Sequence, residues 1–240
     1  MELTLPPKQK KASAWFGPDW ADREKEWIAL LSPDEIAELE EAGELWDSTH
    51  KTGNIETIVI RDFSLPKLEP KLLELRDELI HGRGFALLRR LSTANYTERE
   101  EAIIFCGLGS HLGLSVPQNA QGHLLGHVRD MGLVSKDPNV RIYQTNERQT
   151  FHTDSTDVVG LLCLNTAKTG GLSQLVSSTT IFNEMRERRP DLMRVLRNSP
   201  RNLPVPLAAV LRGGGAGDRT RSLYAWPLRT PGSFSYVSSH

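Results

Sequence analysis

Two residues of the segment FHTDSTD, residues 151–157, have the types and spacing of metal ligands. On a β-strand alternate side chains share a face, so His152 and Asp154 would project together and could hold one ion. An imidazole and a carboxylate on one edge of an octahedron, completed by a second His, form the facial triad of non-haem iron(II) oxygenases. Zinc would prefer a closed tetrahedron with more His or Cys. The pair therefore predicts an iron site, although His-x-Asp spacing alone is a weak signal in a chain with seven histidines.

A group of strand-like runs surrounds this pair, and earlier segments add two more strands and several helices. The predicted strands are 55–61, 85–90, 140–146, 150–154, 158–164 and 173–177. The predicted helices are 33–43, 68–81, 97–112, 178–188 and 191–198. The first has a capping box at Ser32 and Glu35 and a stop at Gly43, and Thr97 and Glu100 open the third. Residues 113–139 are rich in Gly, Asn, Asp and Pro, which is typical of a functional loop.

The residues around the motif resemble the taurine dioxygenase-like (TauD/TfdA) family of iron(II)- and 2-oxoglutarate-dependent oxygenases. The resemblance covers about residues 80–198, from FALLRR through FHTDST to KTGGLSQLVSSTTIFNEM. It places His152 and Asp154 on the first two iron ligands of the family. Ser173, in GGLS, falls where the family usually has a threonine that binds 2-oxoglutarate, and serine keeps the hydroxyl that could donate to a carboxylate.

The resemblance implies an α+β to mainly β fold, a double-stranded β-helix (jelly roll) with outer helices. It also implies a dioxygenase that uses Fe(II) and 2-oxoglutarate. Such an enzyme would oxidise a small organic molecule, most often by hydroxylation, while 2-oxoglutarate is decarboxylated to succinate. The organic substrate is not predicted, because specificity in such families is set by loops.

The family's distal histidine and its 2-oxoglutarate-binding arginine have no counterpart in this sequence. His240, the last residue, is the only histidine after His152, and a terminal residue is a poor ligand. We therefore expect a C-terminally truncated oxygenase with an incomplete jelly roll. The alternative is a catalytically inactive remnant that acts at most as a binding protein.

A different metal hypothesis rests on His123 and His127 in GHLLGH. Their i, i+4 spacing would place two zinc ligands on one helical face, but Leu124 stands where a zinc protease has Glu, and the flanking glycines disfavour a helix. His81 and His111 are expected at helix ends, in capping or helix-dipole interactions.

The composition, with 38% hydrophobic residues and a net charge of −1, is that of a soluble globular protein. We find no apolar run long enough to cross a membrane, no signal sequence and no strongly basic surface for nucleic acid. These features favour a cytoplasmic protein with a small-molecule partner. Cys106 and Cys163 are expected to be buried, reduced thiols.

Residues 1–200 are predicted to form the oxygenase domain, with an N-terminal arm and helices in 1–112 and the iron-motif core in 113–200. The arm, 1–31, carries Trp15, Trp20 and Trp27, which should anchor it to the body. Residues 201–240 hold five Arg, one Asp and no Lys or Glu. They show no helical or alternating apolar period, which predicts a disordered or out-of-frame tail.

Overall fold

A computed structural model describes residues 4–119, 122–137, 139–154, 156–166, 173–198 and 222–229 of the chain. The helices are α1 Glu24–Trp27, α2 Pro33–Thr49, α3 Glu69–Ile80, α4 Glu98–Leu112, α5 Ser178–Arg188 and α6 Pro190–Asn198. The strands are β1 Ile28–Leu30, β2 Leu87–Arg89, β3 Leu114–Ser115, β4 Gly126–Arg129, β5 Val158–Cys163 and β6 Ser222–Arg229. Short 3₁₀ turns lie at Gly17–Trp20, Ile55–Thr57, Ile60–Asp62 and Ile142–Gln144.

Helices α2, α3 and α4 enclose the hydrophobic core. Its fully buried side chains include Leu39, Phe63, Leu72, Ile103 and Cys106. A Cβ atom at position 107 of α4 would overlap the ring of Phe63, so glycine there permits the close approach. The core therefore depends on α4 lying directly against the segment that precedes α3.

Local hydrogen bonds start two of these helices as the sequence predicts. Ser32 and Glu35 form a complete capping box at α2, and Thr97 and Glu100 form another at α4. Helix α2 does not stop at Gly43 but continues to Thr49, because Gly43 is buried against Ile103 and Ile104. Packing against α4 outweighs the modest cost of a glycine inside a helix.

The larger sheet has four strands, with β6 in the middle. Strand β6 pairs antiparallel with β5 along one edge and with β3 and β4 along the other. Separately, β1 and β2 form a parallel pair. The described residues thus form a helix-rich α+β arrangement with a partial sheet.

Residues 201–240 are predicted to be disordered, but eight of them form strand β6. Strands on both sides satisfy its backbone hydrogen-bonding groups, although Pro227 has no N–H to donate to the ladder. The other residues of 201–240 lie outside the described part of the chain. The domain boundary at residue 200 stays a prediction.

Four predicted strands are wrong in the structure. Segments 55–61 and 140–146 contain 3₁₀ turns, and segments 150–154 and 173–177 are irregular. At 55–61 the Asn54 side chain accepts a hydrogen bond from the Glu56 N–H and starts a turn, which overrides the β-branched residues that follow. The predictions at 85–90 and 158–164 are confirmed by β2 and β5.

The N-terminal arm docks on the body through its aromatic residues, as expected. The rings of Trp15, Trp20 and Trp27 surround Phe85, with centroid distances of 5.1, 5.6 and 6.0 Å. Trp15 Nε1 also donates to the Arg83 carbonyl at 2.8 Å. Aromatic burial therefore fixes the arm next to β2.

The first part of the arm is bound to α5. The Asn183 side chain accepts from Gln9 N at 2.8 Å and donates to the Gln9 carbonyl at 2.9 Å, so it pairs with both backbone groups of that residue. Ser177, the N-cap of α5, donates to the Ser13 carbonyl and accepts from Thr180 N. The arm thus holds the start of α5.

Glu38 caps α3 from α2 and provides a test of the helical core. Its buried carboxylate accepts from Lys67 N at 2.9 Å and from Leu68 N at 2.9 Å. Glu38→Ala leaves these donors without that acceptor, so we expect the free energy of unfolding in urea to fall by about 2–3 kcal/mol. Glu44→Ala, at an exposed position on the same helix, should change it by less than about 0.5 kcal/mol. Equal effects of the two changes would contradict the capping role.

Asn183 tests the attachment of the arm. Asn183→Ala removes both bonds to Gln9 and should raise the rate of tryptic cleavage at Lys10 and Lys11 roughly 10-fold, because the arm opens more often. Asn146→Ala, at an exposed position, is the control. Mass spectrometry of the fragments checks the site of cleavage, and an unchanged rate would show that the tryptophans and the Ser177 bond hold the arm without Asn183.

Candidate metal site

His152 and Asp154 lie close together, although no strand holds them. Their segment is irregular and leads into β5. His152 Nε2 is 3.9 Å from Asp154 Oδ1, and the two side chains are 27% and 44% exposed. Adjacent ligands of one octahedral ion would be about 3 Å apart for bonds near 2.1 Å. A small side-chain rotation would bring the two atoms to that separation, and solvent exposure gives an ion access.

The Thr150 carbonyl determines which nitrogen of His152 can bind a metal. His152 Nδ1 is 2.9 Å from this oxygen. Because a carbonyl only accepts, Nδ1 must carry the proton and donate it, which leaves the lone pair of Nε2 available. Metal-binding histidines are commonly oriented in this way by a carbonyl or carboxylate behind the ring. The donor set at His152 and Asp154 therefore fits two ligands of a divalent iron.

Gln149 approaches the same nitrogen. Its Nε2 lies 3.1 Å from His152 Nε2, so the amide donates to the imidazole lone pair. Sequence reasoning missed this residue because glutamine is not a metal ligand of the expected type and no motif marks it. The three-residue separation from His152 becomes informative only once the backbone is known to bend here.

A third protein ligand is not present in the part of the chain that the structure describes. Among those residues no group of three or more His, Cys, Asp and Glu side chains could hold a metal ion. His240 lies outside them. The described site thus supplies two ligands, His152 and Asp154.

Ser173 lies in an irregular, exposed segment four residues before the Ser177 cap of α5. Ser177 in turn is bound to the arm through the Ser13 carbonyl. Gly170 and Gly171, which precede it in the motif, lie outside the described residues. The role of Ser173 in binding 2-oxoglutarate stays a prediction.

The structure disfavours the second metal hypothesis. His127 lies on β4 and His123 in the preceding loop, so the helix required by the i, i+4 spacing is absent from this segment. His123 Nδ1 instead lies 3.0 Å from the Asn119 amide nitrogen. His111, near the end of α4, is buried, and its Nε2 bonds to the Phe63 carbonyl at 2.7 Å.

Both cysteines are free thiols, as expected, but only one is buried. Burial raises the pKa of the Cys106 thiol far above its usual range, which makes it unreactive. Cys163, at the end of β5, is exposed, and its Sγ lies 3.4 Å from the Asn165 carbonyl. The expectation that both thiols are buried is wrong for Cys163, because this cysteine is the last residue of β5.

Comparison with known proteins identifies a matching family. The family model of the taurine catabolism dioxygenase TauD, TfdA family matches residues 47–205. The chain belongs to this family. Its members are in general dioxygenases that depend on Fe(II) and 2-oxoglutarate, and the match includes His152, Asp154 and Ser173.

Two curated relatives extend the comparison. The chain is 34% identical over 179 residues to FR-33289 synthase of Streptomyces rubellomurinus, an alignment that covers 70% of this chain and 49% of the relative. It is 31% identical over 203 residues to the taurine hydroxylase-like protein SAT17 of Stachybotrys chartarum, covering 81% and 52%. The chain spans about half the length of these relatives. No described helix is long and apolar enough to cross a membrane.

Glu56 fixes the loop that carries His123 and leads to His127. Its Oε1 accepts from Leu124 N at 2.7 Å and from Leu125 N at 2.9 Å. In Glu56→Ala we expect the Leu124 and Leu125 amides to exchange with deuterium at least about 10-fold faster, because both lose their acceptor.

Glu147 offers a matched control for this change. It binds the Ser135 amide and hydroxyl, and these hydrogen bonds hold the pKa of its carboxyl below the usual range. Glu147→Ala should accelerate exchange at Ser135 and leave Leu124 and Leu125 unchanged. Slow exchange at both leucines in Glu56→Ala would show that strand pairing of β4 suffices to order the loop.

Proposed function

We propose that this chain binds Fe(II) through His152 and Asp154 as part of a 2-oxoglutarate-dependent dioxygenase that oxidises a small organic molecule. The observation that carries the proposal is the arrangement of the pair. His152 Nε2 lies 3.9 Å from Asp154 Oδ1, within the region that matches the family. The accompanying products would be succinate and CO2.

Each residue has a separate role in this proposal. Asp154 supplies a negative charge that partly neutralises the metal, and neutral His152 supplies a nitrogen ligand held in its tautomer by Thr150. The Ser173 hydroxyl would donate a hydrogen bond to a carboxylate oxygen of 2-oxoglutarate. Bound iron supplies the oxygen chemistry that protein side chains cannot perform.

The partial sheet supports a jelly roll as the fold of the proposed enzyme. Strand β5 follows the metal pair directly and lies next to β6, whose other edge binds β3 and β4. Antiparallel neighbours of this kind are the building units of a double-stranded β-helix. We propose that β3 to β6 belong to such a barrel, with the helices α2 to α4 outside it.

A second candidate is a binding protein without oxygenase activity. The observation that favours it is the ligand count, since the described residues bring together two metal-binding side chains and not three. Such a protein would bind a small molecule without turnover. Iron binding and 2-oxoglutarate turnover separate the two candidates.

The decisive experiment is an anaerobic titration with Fe(II) and 2-oxoglutarate, followed through the visible charge-transfer band of a chelated iron complex. We expect a saturable band, and at least about a 100-fold loss of iron affinity in His152→Ala and in Asp154→Ala, because each change removes a direct ligand. His123→Ala is the control and should bind iron as the wild type does.

Turnover is measured on the same samples after oxygen is admitted. Succinate formation that requires His152 and Asp154 would support the dioxygenase. A folded wild-type chain that gives neither the band nor succinate would refute it. A band without succinate, in the presence of oxygen, would favour the binding protein.

A further inference from the structure

The Gln149 side chain occupies the position from which a metal would reach His152. Its amide nitrogen lies 3.1 Å from His152 Nε2. Its own Oε1 is buried and has no hydrogen-bond partner among the described residues. Among the described residues, the hydrogen bond to His152 therefore holds the amide beside the candidate site.

The imidazole cannot serve both groups at once. His152 Nδ1 donates its proton to the Thr150 carbonyl, so Nε2 has one lone pair and no proton. The Gln149 amide hydrogen points at that lone pair, and a metal ligand bond uses the same electrons. A metal and the Gln149 amide are thus mutually exclusive partners of His152 Nε2.

We propose that Gln149 is an intramolecular competitor that controls access of the metal to His152. This inference rests on the proposed function. The amide holds the ring with Nε2 directed at the site and must be displaced when a metal binds. The hydrogen bond has two opposing effects on metal binding. It favours binding by pre-orienting the ring, and it disfavours binding because the bond must be broken before the metal can reach Nε2.

Competition outweighs orientation at this site for a physical reason. The Thr150 bond already fixes the tautomer and one end of the ring, so the Gln149 bond adds little further order. The Gln149 hydrogen bond must nevertheless be broken when a metal binds. The amide, whose Oε1 has no partner among the described residues, then also loses its bond to His152 while it is partly buried. Removing the amide should therefore tighten metal binding.

Gln149→Met tests the competition, because methionine is similar in length but has no donor. Co(II), which can be followed by its visible absorption under anaerobic conditions, is the probe. We expect Gln149→Met to bind Co(II) about 3- to 10-fold more tightly than the wild type, the range that one neutral hydrogen bond allows. Gln149→Asn, whose amide is one methylene shorter, should show the same direction.

A double-mutant cycle with His152 separates competition from general structural change. In the His152→Ala background, Gln149→Met should leave the residual Co(II) affinity unchanged, because the shared nitrogen is gone. Circular dichroism confirms that all variants are folded. An equal gain in both backgrounds would overturn the proposal.

A second readout does not use a metal. In chelator-treated protein, the ¹⁵N resonance of His152 Nε2 should move in Gln149→Met towards that of an imidazole nitrogen without a donor, while Nδ1 stays protonated. An unchanged Nε2 resonance would overturn the proposal.

The proposed function and the competition can fail separately. If the wild type binds neither Co(II) nor Fe(II), both are wrong. If the wild type binds Co(II) but the folded Gln149→Met variant binds it no more tightly, the competition is wrong and the proposed iron site stands.

Discussion

The packing of Phe63 on helix α4 is the contact on which the rest of the structure depends. Its ring lies where a side chain at Gly107 would be, and its carbonyl accepts a hydrogen bond from buried His111 one turn further along α4. Helix α4 in turn contacts α2, α3, β3 and β6. One helix therefore joins the hydrophobic core to the sheet, and glycine at position 107 is what allows it to lie close enough.

The candidate metal site lies on the segment that leads into β5 and is organised by hydrogen bonds. Thr150 sets the tautomer of His152, Gln149 occupies its lone pair, and β5 begins four residues after Asp154. The site is partly exposed, which suits entry of an ion but gives little protection from water. In the proposed enzyme, burial of the substrate would have to come from parts of the protein around this site.

The helices could be read from the sequence because their signals are local. Capping boxes at Ser32 and Thr97 and apolar residues at helical spacing lie within a few positions of each other, and both helices form as expected. Strands were predicted less well because their hydrogen bonds come from distant segments. Segment 55–61 has β-branched residues but pairs with no strand among the described residues. Ser222–Arg229 has no clear sequence pattern but pairs with three strands.

The sequence by itself determined the candidate chemistry of this protein: the residue types at His152 and Asp154, their separation of two, and membership of the TauD/TfdA family. Those properties belong to residue types and their order, so no fold is needed to see them. Only the tertiary structure decided how the pair is held. The two side chains come together on an irregular segment and not on a strand. The Thr150 carbonyl keeps the proton on His152 Nδ1, and the Gln149 amide donates to Nε2. Directed hydrogen bonds depend on backbone geometry, which single-residue patterns do not specify.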